Sequence, residues 1–176
     1  MNFWLAASLA LLAACCASVP EPSPKSHALR LEMEDGVCSG TAIGPHEVLT
    51  ATHCLASRVL RINGAPVVTG PSRKVGRDAT VITVNRTFPV WAAWRDAPPN
   101  QGERVRYWGN PIGMPDIYRE GYIAGMHGDT LLVDVEISKG DSGAGVYDSH
   151  GRLIGVVSAI GVSGPFRMAI VVRRSE

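Results

Sequence analysis

Two short segments hold the residue types that acyl-transfer chemistry needs. Leu49-Thr50-Ala51-Thr52-His53-Cys54 sets a histidine directly after an apolar stretch, and Gly140-Asp141-Ser142-Gly143-Ala144-Gly145 sets a serine in a glycine-rich turn. A serine hydroxyl is a weak nucleophile at neutral pH and needs an adjacent base. Imidazole can take that proton and return it to a leaving group. Glycines around the serine let backbone N–H groups converge on one point, where an oxyanion would develop.

The elements that must position these two segments read as strands. Leu29, Leu31 and Met33 alternate with Arg30, Glu32 and Glu34, the period of a half-buried strand. Asp35-Gly36 and Asn63-Gly64 read as turns. Further strands are predicted at Val37–Ile43, Val48–Ala51, Val59–Ile62, Val67–Thr69 and Asp78–Asn85. Pro98-Pro99-Asn100 cannot sit in a ladder, so residues 91–103 read as a linker. Beyond it, strands are predicted at Arg104–Trp108, Ile117–Ala124, Thr130–Ile137, Gly143–Tyr147, Leu153–Ala159 and Phe166–Val172. The fold class is all-β: two antiparallel six-stranded barrels, one over residues 28–90 and one over 104–176.

Composition agrees and narrows the classes. Of 176 residues, 45% are hydrophobic and 19% charged, which excludes a disordered chain. The net charge of +1 offers no electrostatic footprint for nucleic acid. Glycine, at 19 residues, favours a turn-rich β protein. His27, His46, His127 and His150 have no metal-ligand spacing and read as surface loop residues, so neither a metal nor a cofactor is expected. Trp91 and Trp94 read as cover for the barrel junction.

The two chemical segments resemble the TAAHC and GDSGGP signatures of the trypsin-like, chymotrypsin-fold serine peptidases. The likeness runs from about Val37 to Val172. Cys38 precedes Cys54 by sixteen residues, the spacing of that family's disulfide beside its histidine. The resemblance implies an active site in the cleft between the barrels and a His, Asp, Ser triad in that chain order. Asp78, Asp96, Asp116, Asp129, Asp134 and Asp141 are candidates for the acid; Asp78 is favoured because it opens a strand like that following the family's aspartate. By the same resemblance Ser142 is the nucleophile, His53 the base, and the N–H groups of Gly140 and Ser142 the oxyanion hole. Ser158 is similar to the serine beside the triad acid, with Ser158–Gly161, including Ile160, as the strand that pairs with substrate. Tyr107-Trp108-Gly109-Asn110-Pro111-Ile112-Gly113 is similar to a segment of HtrA-like and glutamyl-endopeptidase-like bacterial members. The chain stops four residues after Val172, so no PDZ domain is expected.

No Ile-Val-Gly-Gly N-terminus is present to pair with Asp141, which leaves that acid to some other cation or N–H donor. Glu136 lies six residues before Ser142, where trypsin-type enzymes keep the acid that selects basic side chains. Alternation with Asp134 equally makes it part of a solvated face. Ile160 and Phe166 stand near the expected pocket walls, with Lys139 at the rim.

Residues 1–15 read as an export signal: Phe3–Ala14 is a twelve-residue apolar run, too short to span a bilayer. Leu12-Ala13-Ala14-Cys15 resembles a bacterial lipobox, which implies lipidation at Cys15 and a membrane anchor. Ordinary signal cleavage and a buried N-terminal helix are the alternatives. Residues 16–27, rich in proline, read as a tether. The expected protein is an exported, monomeric serine endopeptidase of the cell envelope, acting on polypeptides through an acyl-enzyme. The alternative is a catalytically inactive peptide-binding lipoprotein of the same fold.

Overall fold

The computed structural model describes residues 23–163 and 166–175, with side chains described outside 160–163 and 166–167. The export signal and Cys15 lie outside the described residues. The last part of the expected tether, Pro24–His27, is a single 3-10 turn with Pro24 and His27 buried.

The first half is a seven-stranded antiparallel sheet. Its strands are β1 (Ala28–Met33), β2 (Val37–Gly44), β3 (Glu47–Ala51), β4 (Val59–Ile62), β5 (Ala65–Pro66), β6 (Thr69–Gly76) and β7 (Ala79–Val84). They lie in the order β5-β4-β1-β2-β3-β7-β6, curled but open at both ends. β1 buries Leu29, Leu31 and Met33 on one face, as its alternation predicts. Asn63 and Gly64 take φ values of 49° and 78°, the two left-handed positions of a tight β4–β5 hairpin.

The second half is a closed barrel of β8 (Arg104–Gly109), β9 (Ile117–His127), β10 (Thr130–Asp134), β11 (Gly145–Tyr147), β12 (Leu153–Ser163) and β13 (Phe166–Val172). The chain is therefore all-β and built of two halves. The first half differs in detail from a six-stranded barrel: it has seven strands and its hydrogen bonding does not close. The expected strand at Val67–Thr69 gives way to β6, which pairs with only one neighbour and is exposed along most of its length. An edge strand buries no face, so TGPSRKVG carries no apolar alternation.

Each half has its own core, of Leu31, Val48, Ile62 and Ile82 in one and Val105, Ile123, Leu131 and Val171 in the other. A third cluster seals the junction, with Leu49, Ala79 and Val81 from the first half against Tyr147, Leu153 and Val156 from the second. Each such side chain withdrawn from water stabilises the fold by about 1.5–3 kcal/mol. The linker is tied to both halves. Ala92 N–H donates to Ala42 at 2.9 Å, Leu153 N–H to Ala93 at 2.8 Å, and Trp94 bridges to Leu153. Trp94 packs on the junction, as its position in the linker predicts, and Trp91 is about half exposed. Among the described residues no helix is long and apolar enough to cross a membrane.

Candidate active site

Register places the histidine beside an acid. β3 and β7 pair down to Ala51↔Ala79, so the residues just beyond each end face one another. Thr52 N–H accordingly donates to the Asp78 carbonyl at 3.1 Å. Leaving β3, the chain makes a short 3-10 turn, Thr52–Ala56, that carries His53. The Asp78 carboxylate accepts from the His53 backbone N–H at 3.0 Å and lies 2.7 Å from its Nδ1. Ser158 Oγ donates to Asp78 Oδ2 at 2.6 Å, so an acid from the first half is held by a hydroxyl from the second. Burial by itself would raise the Asp78 carboxyl; the hydrogen bonds from Ser158 and His53 outweigh it and hold the group below its ordinary value.

The serine turn is built across the same junction. Gly140 and Gly143 have φ values of 99° and 88°, which side-chain-bearing residues rarely adopt. A Cβ on Gly143 would also lie 2.1 Å from the Ser39 carbonyl oxygen, so the turn is pressed against β2. Ser39 N–H donates to the Ser142 carbonyl at 2.7 Å, and Gly143 N–H to Val157 at 2.7 Å. The Ser142 carbonyl also lies 3.8 Å from the Sγ of Cys54, the residue after His53. Val157 in turn precedes Ser158, which closes a ring of contacts through Asp78 and His53. The arrangement brings the backbone of Ser142 against the residue that follows His53. Among the described residues, however, no hydrogen bond within 3.5 Å joins the serine hydroxyl to the imidazole, whose bond is to Asp78. In ligand-free sites such bonds are often long and shorten when substrate binds.

Backbone geometry also aims the amides. Lys139 C=O accepts from Ile112 N–H at 2.7 Å and is thereby drawn toward the 111–113 turn. In a trans peptide the N–H points opposite to the C=O, so Gly140 N–H faces away from that turn. Gly140 C=O accepts from Ser39 Oγ at 2.8 Å. The Gly140 and Ser142 N–H groups donate to no acceptor among the described residues.

Ser39 and Asn110 are site residues that sequence reasoning missed. Ser39, fully buried, accepts from Asn110 N–H at 3.1 Å and Nδ2 at 2.8 Å while it donates to Gly140. Asn110 sits in the Gly109–Gly113 segment whose likeness was visible; nothing in Cys38-Ser39-Gly40 marks Ser39.

Behind the turn, Asp141 is buried and takes a hydrogen bond from Ser138 N–H at 2.9 Å, with Tyr107 OH at 3.4 Å. Arg119 Nε lies 3.7 Å away. Burial pushes the Asp141 carboxyl above its ordinary value despite these partners. Arg119 also pairs with Glu136 at 2.9 Å. Of the two readings of Glu136, the solvated face is the one observed: its side chain is 82% exposed, not seated at the base of a pocket. Val133 and Val135 face the core instead. Ile160 and Gly161 lie in β12, opposite Ala169 and Met168 of β13. β11 pairs with β12 only as far as Val156, which leaves the second edge of β12 free beyond Val157 among the described residues. His27, read as a surface residue, is instead buried, with its ring against Tyr147.

Cys38 and Cys54 form a disulfide. A loop of this length contributes about 3 kcal/mol, and such bridges persist in oxidising compartments rather than the cytosol.

Comparison with solved structures finds the same fold. An inactive form of the Rv3671c protease of M. tuberculosis H37Rv aligns with a TM-score of 0.71 at 19% identity, covering 85% of this chain and 82% of that one. A Glu endopeptidase aligns with a TM-score of 0.71 at 15% identity, over 86% of each chain. The family model for the trypsin-like peptidase domain matches residues 38–156. With that match spanning both halves and including His53, Asp78 and Ser142, the chain belongs to the trypsin-like peptidase family.

Proposed function

We propose that the chain is an exported serine endopeptidase with His53, Asp78 and Ser142 as its triad. The observation that carries this reading is the Asp78 carboxylate, whose Oδ2 lies 2.7 Å from His53 Nδ1 and accepts from Ser158 Oγ at 2.6 Å. That arrangement fixes the tautomer with Nε2 free to accept a proton. Ser142 Oγ attacks the scissile carbonyl as His53 Nε2 takes its proton. The N–H groups of Gly140 and Ser142 receive the oxyanion. His53 then gives the proton to the departing amine, leaving an acyl-enzyme. Water, deprotonated by His53, releases the acid and restores Ser142.

A substrate peptide adds along the free edge of β12, where Ser158, Ile160 and Gly161 offer main-chain partners. Arg119 balances the buried Asp141 in place of a liberated N-terminus, so the oxyanion turn is set without an activating cut. Glu136, engaged by Arg119 and open to solvent, is assigned no part in selecting substrate. Export rests on the apolar leader and on the disulfide; Cys15 is the proposed lipidation site that tethers a monomeric enzyme to the envelope membrane.

Labelling with a fluorophosphonate probe tests the reading. The native protein should react, and the Ser142→Ala and His53→Ala variants should lose roughly 10⁴-fold or more in turnover. A folded protein that takes no label and still binds peptide would be the inactive relative instead. Incorporation of labelled palmitate, abolished by Cys15→Ser, tests the anchor.

A further inference from the structure

A surface cavity shares no residue with the candidate active site. It offers about 620 Å³, open to solvent, and its walls include His27, Trp91, Arg106, Trp108, His150 and Arg152. That volume suits a small organic ligand.

Two of its polar groups lack the partners that buried groups ordinarily have. His27 is 4% exposed, and neither ring nitrogen has a hydrogen-bond partner. Burial lowers its pKa, so the ring stays neutral and offers one donor and one acceptor. Arg106 Nε is likewise buried and unpaired; the guanidinium's one hydrogen bond among the described residues is a 3.5 Å approach to the Ser149 carbonyl, while Glu120, opposite it on β9, feels its charge without bonding to it. Arg152 is already engaged by Asp148 at 2.8 Å, which leaves Arg106 as the arginine of the cavity wall that makes no direct salt bridge among the described residues. Among the described residues no carboxylate lines it. The indoles of Trp91 and Trp108 supply flat apolar wall, and Trp108 is braced by Tyr118 at 5.0 Å between ring centroids.

We propose that this cavity binds an aryl carboxylate, with the carboxylate on the Arg106 guanidinium and the ring against Trp91 and Trp108. A guanidinium matches a carboxylate in charge and in its forked geometry, and indole faces take a flat ring edge-on or offset. The same chemistry comes from a free aromatic acid or from the C-terminus of a peptide ending in an aromatic residue.

Calorimetric titration of the native protein separates the possibilities. Phenylacetate and N-acetyl-Ala-Ala-Phe are the probes, each beside its amide. Saturable binding of an acid is expected, with its amide at least about tenfold weaker, since a hydrogen bond to a charged group is lost. Arg106→Gln should weaken the acid about as much and leave the amide unchanged, and Trp91→Ala should weaken both. Thermal melts establish that each variant is folded, and Trp91 in its exposed linker serves if the β8 substitution does not fold. Ser142→Ala should bind like the native protein, whether or not the chain is a peptidase. Saturation by phenylacetate alone marks a free acid as the source, and by the tripeptide alone a peptide end. Acid and amide of equal affinity, indifference to Arg106→Gln, loss of binding in Ser142→Ala, or no saturation by roughly 10 mM would each overturn the proposal.

Discussion

Replacing Ser39 with alanine should damage catalysis from a residue that never meets substrate. Its hydroxyl donates to Gly140 C=O at 2.8 Å and accepts from Asn110 N–H at 3.1 Å and Nδ2 at 2.8 Å. Asn110 Nδ2 keeps a second acceptor, Leu29 C=O at 3.2 Å. The substitution therefore strands two groups, the Gly140 carbonyl and the Asn110 N–H. At about 1–3 kcal/mol for each group left unpaired, stability should fall by about 2–6 kcal/mol. The peptide after Gly140 would also lose its tie to β2, while the Ile112 N–H still holds the Lys139 carbonyl, whose peptide carries the Gly140 N–H. Complete loss of one oxyanion donor costs about 10²–10³ in kcat; with half the restraint kept, about 10–100-fold is expected. The assay is steady-state hydrolysis of a peptide ester, well below the variant's melting temperature, with active sites titrated. The loss should fall on kcat, with KM within about twofold. A folded Ser39→Ala enzyme with native kcat, or one whose defect lies wholly in KM, would refute the reasoning.

Asp78→Asn should lower kcat by about 10⁴-fold through the wrong imidazole tautomer, read from the same ester assay. Ser158→Ala should bring the Asp78 carboxyl up toward its ordinary value, seen in an NMR titration of its carboxyl carbon. Reduction of Cys38–Cys54 should destabilise the fold by about 3 kcal/mol, measured by denaturant melts with and without dithiothreitol. Asp78, Glu103 and Asp148 all titrate below their ordinary values in the folded chain. Their stabilisation is thus complete above the ordinary carboxylate pKa and lost as pH falls through the lower folded values. Melting temperature should hold to about pH 5 and drop below about pH 4, and a flat profile there would contradict the assignment.

Much of this was legible because local pattern and tertiary role coincide. β1 alternates in sequence and buries one face, and Asn63-Gly64 needs two left-handed residues and has them. The histidine and serine segments carried the resemblance, and the acid was singled out by the strand it opens. The rest depended on information a single segment does not hold. β6 is an edge, so nothing apolar marks it. Ser39 and Asn110 act through contacts 71 residues apart in sequence, with nothing in β2 to announce them. His27 reads as a loop residue until the packing of Tyr147 against it is known.

The open end of the first sheet has a consequence for the protein in crowded solution. Unpaired strand edges invite pairing with another chain and hence fibrils or amorphous precipitates. At this end the outermost strand is β6, which carries Pro71, Arg73 and Lys74 on exposed positions; at the other it is β5, only Ala65–Pro66 long. Proline withholds a donor and like charges repel an incoming copy, so the sheet can stay unclosed without recruiting its neighbours.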